Sequence, residues 1–327
     1  MVSGAKTSIA FVFPGQASQK VGMAAELLER EPAARRLFQR AGEVLGLNLA
    51  ELCTTGSDAA LTRTDIAQPA LLTTCVSWHE ALRERGVAPQ MVAGHSLGEF
   101  SAWVAAGVMG FEEALRLVRR RGELMEQVGD RRPGGMVAVI GLQEAQVAEI
   151  CVCASSVGVV VVANHNSPGQ VVVSGEPDAL DRVLGEVKAA RGRAIPLRVS
   201  GAFHSPLMED AACSFAGLVA RLPLEAPQVP VIVNITAEPV TDAEAARQAM
   251  SRQMTSPVLW TESVRRMARD GARIFIEVGP GQVLSKLIER ISGDVRALPA
   301  GSPADLAAAL QALAGQPGIP RQETHPT

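Results

Sequence analysis

The chain has 327 residues, of which 47% are hydrophobic and 20% are charged, the composition of a folded globular protein rather than a disordered one. A net charge of −3, without a single tyrosine, gives no reason to expect nucleic acid as a partner. No stretch approaches the ~20 apolar residues of a membrane span, and the five scattered cysteines are typical of structural thiols in a reducing compartment, so the predicted location is the cytoplasm.

Apolar runs and helical patterns alternate along the first third of the chain. The run 9–13, stopped by a Pro-Gly pair, predicts a buried strand, and the spacing of apolar residues over 21–46 predicts a helix. A second helix is predicted over about 69–82, a short strand over 91–93 and an alanine-rich helix over 97–107. Strand, tight turn and helix in this order predict an α/β domain with a parallel sheet.

The middle of the chain, residues 131–199, has a different order of elements. This order is βαββαβ, and it predicts a ferredoxin-like small domain inserted into the larger one. Its predicted strands cover 136–140, 157–162, 170–174 and about 193–199, with helices over about 142–151 and 177–190.

The larger domain would comprise residues 1–130 and 200–314. Two further apolar runs, over 231–234 and 274–278, predict buried strands in this domain. The tail 315–327 is rich in proline, glutamine and threonine and is predicted to be disordered.

The strongest local signal for chemistry is the G-x-S-x-G pattern Gly94-His95-Ser96-Leu97-Gly98. Between a strand and a helix, this pattern predicts a nucleophile elbow, in which the glycines make room for a sharp turn. The serine hydroxyl then stands at the positive end of the helix, where developing negative charge is stabilised. The motif by itself also fits a purely structural turn.

A serine nucleophile needs a base, and histidine is the residue most often used for that role. His204 is the favoured candidate because it lies in a predicted loop just after a strand, where catalytic residues tend to lie. A structural histidine is the alternative. The other histidines lie in a helix, beside Ser96 in the sequence, in a turn of the small domain and in the tail: His79, His95, His165 and His325.

Arg121 shares one predicted helical stripe with Ala114, Val118 and Met125. A guanidinium on an apolar stripe is costly to bury without an anion, so the pattern predicts either a site for a substrate carboxylate or a structural salt bridge. Phosphate loops, dinucleotide fingerprints and metal-ligand spacings are absent from the sequence. No metal and no cofactor are therefore expected.

A series of short motifs along the chain resembles, in the same order, the motifs of malonyl-CoA:acyl carrier protein transacylases. This family includes the free-standing, trans-acting acyltransferases of polyketide synthases. The similarity covers about residues 8–300. The motifs are Phe-Pro-Gly-Gln at 13–16, Ser-Gln at 18–19, Gly-His-Ser-Leu-Gly-Glu-Phe at 94–100, Arg-Gly at 121–122, Asn-Ser-Pro-Gly-Gln at 166–170, Gly-Ala-Phe-His-Ser at 201–205, Gln253, Ser-Pro-Val at 256–258, Trp260 and Glu-Val-Gly-Pro-Gly at 277–281.

The resemblance implies a hydrolase-like large domain with a parallel sheet, an inserted ferredoxin-like domain, and an active site in the cleft between the two. It implies a catalytic pair, Ser96 and His204, without a carboxylate as third member. The histidine would be oriented by a backbone carbonyl near Gln253. Backbone N–H groups of Gln16 and Leu97 would form the oxyanion hole.

The resemblance also implies the substrates, which are malonyl-CoA and an acyl carrier protein that bears phosphopantetheine. Arg121 matches the arginine that binds the malonyl carboxylate in this family, and His95, Asn166 and Gln253 are further candidates for substrate binding. Members with phenylalanine at the position of Phe203 usually take malonyl rather than methylmalonyl groups, and one methyl group is worth about 1–3 kcal/mol of discrimination.

The predicted oxyanion loop departs from the family pattern at one position. The family loop has the sequence Gly-Gln-Gly-Ser-Gln, whereas residues 15–19 here are Gly-Gln-Ala-Ser-Gln. A positive φ at Ala17 would strain the loop, since alanine lacks the conformational freedom of glycine. We therefore expect Ala17 to have an ordinary backbone conformation.

Two alternative functions remain open at this stage, together with the choice between fatty acid and polyketide synthesis. An acyl hydrolase that clears carrier proteins would use the same Ser–His pair, although it has no need of a carboxylate clamp. A non-catalytic scaffold could instead dock acidic carrier proteins on a basic face. The residues of that face would be Arg119, Arg120, Arg131, Arg132, Lys188, Arg191 and Arg193.

Overall fold

The computed structural model describes residues 8–314, so the predicted tail lies outside the described residues. None of the helices in this range is both long enough and apolar enough to cross a bilayer. The strands are β1 (Ser8–Phe13), β2 (Met91–Gly94), β3 (Gly135–Ile140), β4 (Val160–Ser167), β5 (Gln170–Gly175), β6 (Arg193–Pro196), β7 (Val231–Ile232), β8 (Pro239–Val240), β9 (Ala272–Glu277) and β10 (Arg296–Pro299). The helices are α1 (Ala25–Arg30), α2 (Pro32–Leu45), α3 (Leu49–Thr54), α4 (Asp58–Thr62), α5 (Thr64–Glu84), α6 (Gly98–Ala105), α7 (Phe111–Arg131), α8 (Glu144–Ala154), α9 (Pro177–Ala189), α10 (Glu209–Val219), α11 (Ala243–Arg252), α12 (Trp260–Arg269), α13 (Val283–Ile291) and α14 (Pro303–Leu313).

The larger of two sheets has the strand order β10-β9-β1-β2-β7-β8. Its neighbouring strands are parallel, except for the antiparallel pair β7 and β8 at one edge. A parallel sheet is covered on both faces, which explains why residues 9–13 of β1 and residues 274–276 of β9 are continuous apolar runs rather than alternating ones. The predicted α/β class with a parallel sheet is confirmed.

The smaller sheet is antiparallel and has the strand order β4-β5-β3-β6. Helices α8 and α9 alternate with these strands in the chain and share one apolar core with them, which includes Val147, Val173 and Val183. The predicted ferredoxin-like βαββαβ order is therefore confirmed. The domain boundaries at 131 and 199 stay a prediction.

Backbone hydrogen bonds join the small sheet to the rest of the molecule through β4. Asn164 forms a parallel bridge with Val258, in the segment that leads into α12. The N–H of Val258 donates to the carbonyl of Ala163 at 2.8 Å, and the N–H of His165 donates to the carbonyl of Val258 at 2.9 Å. These bonds fix one wall of the cleft between the two sheets.

Proline divides one predicted helix and leaves another intact. The helix predicted over 21–46 is in fact α1 and α2, because the residue before Pro32 is driven into an extended conformation. In α5, by contrast, Pro69 lies inside the helix and cannot donate to the carbonyl of Asp65. The side chain of Arg119 donates to that carbonyl instead, at 2.9 Å, so the buried acceptor is satisfied.

Several predicted strands have different bounds in the structure: the strand predicted over about 193–199 ends at Pro196 as β6, and the strand predicted over 274–278 is Ala272–Glu277. The β-branched run 157–162 predicts a strand there, but β4 begins at Val160 and continues to Ser167, where the tight turn with Gly169 at φ +73° begins. The strand predicted over 231–234 is only the two residues of β7, because the N–H of Asn234 donates to the side chain of Glu99 and its carbonyl accepts the backbone N–H of Leu259.

Gly98 lies where α6 begins against β1, and a Cβ atom at this position would overlap the backbone of Phe13. Gly98→Ala is therefore expected to lower the free energy of unfolding by about 2–3 kcal/mol, measured by urea titration. The matched control is Gly185→Ala on the exposed side of α9, where the added Cβ meets no described atom within 4 Å. This control is expected to gain about 0.5–1 kcal/mol, and equal stability of the two variants would contradict the account.

Candidate active site

Ser96 occupies the sharp turn between β2 and α6, with φ +51°. The turn is so tight that a Cβ atom on Gly94 would overlap the backbone of Gly98. Asn234 holds the turn from the side: its Oδ1 accepts the N–H of Ser96 at 2.7 Å, and its Nδ2 donates to the carbonyl of Gly94 at 2.6 Å. The serine therefore has the strained backbone that is typical of a nucleophile elbow.

His204 lies beside Ser96, with 2.7 Å between its Nε2 and the serine Oγ. Its Nδ1 lies 3.1 Å and 3.0 Å from the backbone oxygens of Gln253 and Ser256. Because both of these neighbours are acceptors, the ring proton of the neutral histidine belongs on Nδ1. Nε2 is then free to accept the proton of the serine hydroxyl.

The surroundings of His204 keep its ring neutral. Burial lowers its pKa to about 3, with smaller contributions from the positive charge of Arg121 and from His95, while the two carbonyls act in the opposite direction. The residue is only 4% exposed, so a positive charge on its ring would have little contact with water. At neutral pH the histidine is in the form that a general base requires.

Two backbone N–H groups lie near the elbow without acceptors. Within residues 8–314, the N–H groups of Gln16 and Leu97 donate no hydrogen bond. The loop that carries Gln16 packs against the elbow, since a Cβ atom on Gly15 would overlap the carbonyl oxygen of His95, and the N–H of His95 donates to Phe13 at 3.0 Å. Two unused backbone donors, one next to Ser96 in the chain and one in the loop packed against the elbow, are what an oxyanion hole would require.

Ala17, in the same loop, has φ +80°, so the expectation of an ordinary backbone conformation is wrong. The cause is a tight turn, in which the N–H of Ser18 donates to the carbonyl of Gly15 at 3.3 Å. Ala17 is the third residue of this turn, and φ near +80° at the third residue is the mark of a type II turn. The side chain of Gln19 reinforces the loop by accepting the N–H of Ala17 at 2.7 Å.

Arg121 projects from α7 and is only 1% exposed. Its Nη1 donates to Oε1 of Gln68 at 3.0 Å, and its Nη2 donates to Oε1 of Gln253 at 3.0 Å and lies 3.4 Å from the Oγ of Ser96. The guanidinium carbon lies 5.4 Å from the ring centre of Phe100, a cation–π contact.

The guanidinium of Arg121 has unused capacity for an anion. Among residues 8–314, no carboxylate lies within salt-bridge distance of it, and its buried Nε donates to nothing. Burial lowers its pKa to about 10, and the charge of Glu99 opposes this effect, so the group stays positive at neutral pH. A structural salt bridge, the alternative drawn from the sequence, is therefore not what the structure contains.

A buried carboxylate lies behind the site. Oε1 of Glu99 accepts from Nε2 of Gln253 at 2.8 Å, and Oε2 accepts the backbone N–H of Asn234 at 2.6 Å. Burial raises the pKa of Glu99 to about 7, although these hydrogen bonds and the charge of Arg121 act against the rise.

A cavity of about 350 Å³ opens in front of Ser96 and is lined by strands of the small sheet, by the loops that follow β1 and β2 of the larger sheet, and by helices α7 and α13. On the side of the small sheet, Nε2 of His95 and Oδ1 of Asn166 are 2.8 Å apart. Phe203, which is 5% exposed, lies in the wall beside His204. Seven of the nine predicted site residues line this cavity: Gln16, His95, Ser96, Arg121, Asn166, Phe203 and His204.

The other two predicted residues, Leu97 and Gln253, do not line the cavity: Leu97 directly follows Ser96, and Gln253 contacts Arg121 through its side chain and His204 through its backbone carbonyl. The sequence analysis missed Gln68, Glu99 and Asn234. The sequence does contain a signal for Glu99: it is the only charged residue of α6, whose other residues are apolar or small, and a lone charge in such a stretch indicates a buried polar contact. No local pattern in the sequence indicated Gln68 or Asn234.

Within the part of the chain that the structure describes, no cluster of three His, Cys, Asp or Glu side chains could hold a metal ion.

Comparison with known proteins defines the family. The model of the acyl transferase domain matches residues 10–309, and the chain belongs to this family. Over 306 residues, the chain is 44% identical to a malonyl CoA-acyl carrier protein transacylase of Salmonella typhimurium, an alignment that covers 93% of this chain and 99% of that protein.

Two further relatives come from polyketide synthesis. The chain is 43% identical over 284 residues to the polyketide biosynthesis protein ThaF of Burkholderia thailandensis, which covers 86% of this chain and 24% of that protein. A solved structure of a malonyl-transacylase in complex with a type II polyketide acyl-carrier protein has a TM-score of 0.90 and 40% identity, covering 94% of this chain and 100% of that one.

The positive φ of Ala17 predicts that the protein is more stable with glycine at this position. Ala17→Gly is expected to raise the free energy of unfolding by about 0.5–1 kcal/mol, since relief of the positive φ exceeds the entropy that glycine gains in the unfolded chain. The control is Ala308→Gly, at an exposed position inside α14, which should lose about 1 kcal/mol. A loss of stability in both variants, measured by urea titration, would mean that the turn is not strained.

Proposed function

We propose that this protein transfers a malonyl group from malonyl-CoA to the phosphopantetheine thiol of an acyl carrier protein, through an ester on Ser96. The observation that carries the proposal is the position of Arg121, whose charged Nη2 lies 3.4 Å from the Oγ of Ser96. A carboxylate bound by this guanidinium belongs to an acyl group short enough for its other end to reach the serine. The names of the relatives, which include malonyl transacylases and one carrier-protein complex, support the same function.

In the first half-reaction, His204 Nε2 takes the proton of Ser96 as the Oγ attacks the thioester carbonyl. A carbon–oxygen bond forms, and the electron pair of the carbonyl moves to its oxygen. The N–H groups of Gln16 and Leu97 donate to this oxyanion. When it collapses, the carbon–sulfur bond breaks, and the thiolate of CoA leaves with the proton that His204 returns.

The second half-reaction reverses these steps with a different thiol. His204 takes the proton of the phosphopantetheine thiol, whose sulfur attacks the malonyl ester, and then returns that proton to the Oγ of Ser96 as the ester bond breaks. Because the first product leaves before the carrier protein reacts, initial-rate lines should be parallel. The scheme uses no metal and no cofactor.

The cavity wall supports a preference for malonyl over methylmalonyl groups. Phe203 occupies the wall beside the catalytic histidine, where a methyl branch on the acyl chain would need space. Such a contact is worth about 1–3 kcal/mol. On the opposite side, His95 and Asn166 form the polar wall that the substrate would contact.

The two alternatives have less support. An acyl hydrolase has no use for Arg121, and the relatives are named as transacylases. The basic face that a docking scaffold would need is partly neutralised, because Arg119 is paired with Asp65 and Glu123, and Arg120 is paired with Glu123.

The relatives include both malonyl CoA-acyl carrier protein transacylases and a polyketide biosynthesis protein, so both fatty acid and polyketide synthesis stay candidate pathways. The cytoplasmic location stays a prediction.

Replacement of Arg121 tests the proposal. Arg121→Ala is expected to lower the rate of malonyl transfer from malonyl-CoA to a holo acyl carrier protein about 100-fold, because a charge-assisted contact of about 1.5–3 kcal/mol is lost. Transfer of acetyl groups, which lack the carboxylate, should be retained or increased. The measurement is the mass of the carrier protein over time with each acyl-CoA.

The control is Arg120→Ala, one residue away on the exposed side of α7, which should leave both rates unchanged. If Arg121→Ala lowered malonyl and acetyl transfer equally, the arginine would be structural and the clamp would be refuted. If the wild-type protein released malonate and left the carrier unloaded, the hydrolase would be the better assignment.

A further inference from the structure

Glu99 is a buried carboxylate that the reaction scheme does not use. It lies in the first turn of α6, three residues after Ser96, and its exposed fraction is 0%. Both of its oxygens accept hydrogen bonds, one from the side chain of Gln253 and one from the backbone of Asn234. A carboxylate can accept at both oxygens at once, whereas a neutral amide of the same size cannot.

The contact with Glu99 determines which way the amide of Gln253 points. Nε2 of Gln253 donates to Oε1 of Glu99 at 2.8 Å and to the backbone carbonyl of Ser96 at 3.1 Å, so both of its protons are used. The amide oxygen is left on the other side, where it accepts from Arg121 at 3.0 Å. A reversed amide would place its NH₂ group against the guanidinium and its oxygen against the carboxylate, and both contacts would be repulsive.

The amide of Gln253 between Glu99 and Arg121 lets the carboxylate balance the buried positive charge without a direct ion pair. A direct ion pair between Glu99 and Arg121 would balance the charges, but it would also occupy the donors that a substrate carboxylate needs. With one amide between them, the ionised form of Glu99 stabilises the guanidinium from a distance, and the donors at both of its oxygens favour that form against the effect of burial. The Nε of Arg121 stays buried and without a partner among the described residues.

We propose that Glu99 is a positioning residue that makes the site selective for acyl groups with a free carboxylate: acting through Gln253, it orients Arg121 by way of neutral amides and leaves the guanidinium without a direct ion pair. The inference rests on the proposed function, because it assigns a device for selecting the malonyl group within the same site. Glu99 touches neither the acyl group nor the reacting atoms. Its effect is therefore on the choice of acyl group rather than on the chemical steps.

The test is the ratio of kcat/KM for malonyl-CoA to kcat/KM for acetyl-CoA, with a holo acyl carrier protein as acceptor. Glu99→Gln is expected to lower this ratio on the order of 10- to 100-fold, because one buried donor or acceptor in the chain to Arg121 is left unpaired. A purely structural effect, such as a shift of the elbow through Asn234, would lower both constants and leave the ratio unchanged.

Glu277→Gln is the matched control. Glu277 is also 0% exposed and also accepts backbone N–H groups, those of Leu284 and Ser285 at 3.0 Å and 2.7 Å, but it makes no hydrogen bond to Arg121 or Gln253. The ratio in this variant should equal that of the wild-type protein. A drop equal to that of Glu99→Gln would show that any buried carboxylate has the same effect, and would overturn the inference.

If Glu99→Gln does not fold, a variant of Gln253 can test the same chain of contacts. Gln253→Leu removes the amide but keeps the backbone carbonyl that orients His204, and it should lower the ratio to a similar extent. Where both variants fold, the double variant should show little further loss, since the two residues act in series. Additive losses would mean that Glu99 does not act through Gln253, and would overturn the inference.

The inference and the proposed function can fail separately. A wild-type protein that prefers malonyl-CoA, together with a Glu99→Gln variant that keeps the same ratio, would overturn the inference and leave the function intact. A wild-type protein without preference for malonyl-CoA would refute the carboxylate clamp itself, and the role of Glu99 with it.

Discussion

The buried guanidinium of Arg121 is the constraint on which the rest of the site depends. An unpaired positive charge inside a protein is costly, and the usual remedy is a directly bonded carboxylate. Here the nitrogens instead donate to the amide oxygens of Gln68 and Gln253, and the ring of Phe100 lies against the group. The charge is thus tolerated without a direct ion pair, which is why we propose that Arg121 binds the free carboxylate of the acyl group.

The same positive charge affects His204, the proposed catalytic base. It lies close enough to His204 to help lower the pKa of the ring, which burial already favours. A carboxylate beyond the histidine would raise that pKa, but the partners of Nδ1 are the backbone carbonyls of Gln253 and Ser256. Neutral carbonyls fix the orientation and tautomer of the ring without adding a negative charge beside the proposed site of the malonyl carboxylate.

Local features of the sequence predicted the layout well, and long-range contacts account for what it missed. The elbow at Ser96 could be predicted because strand, turn and helix are all encoded within a few residues. The positive φ of Ala17 could not, since it depends on a hydrogen bond that closes the turn between Gly15 and Ser18. The contact between Glu99 and Gln253 joins residues 154 positions apart, and no local pattern announces it. The roles of the site residues stay predictions until they are tested.

The central claim is that Ser96 carries the malonyl group, and the most direct test is the intact mass of the protein after brief incubation with malonyl-CoA. The account predicts a mass increase of one malonyl group in the wild-type protein and none in Ser96→Ala. The Ser96→Ala variant should keep its fold, because the hydrogen bonds that hold the turn come from the backbone of this residue and from Asn234. An adduct of equal size in both proteins, or free malonate and CoA without any adduct, would contradict the account.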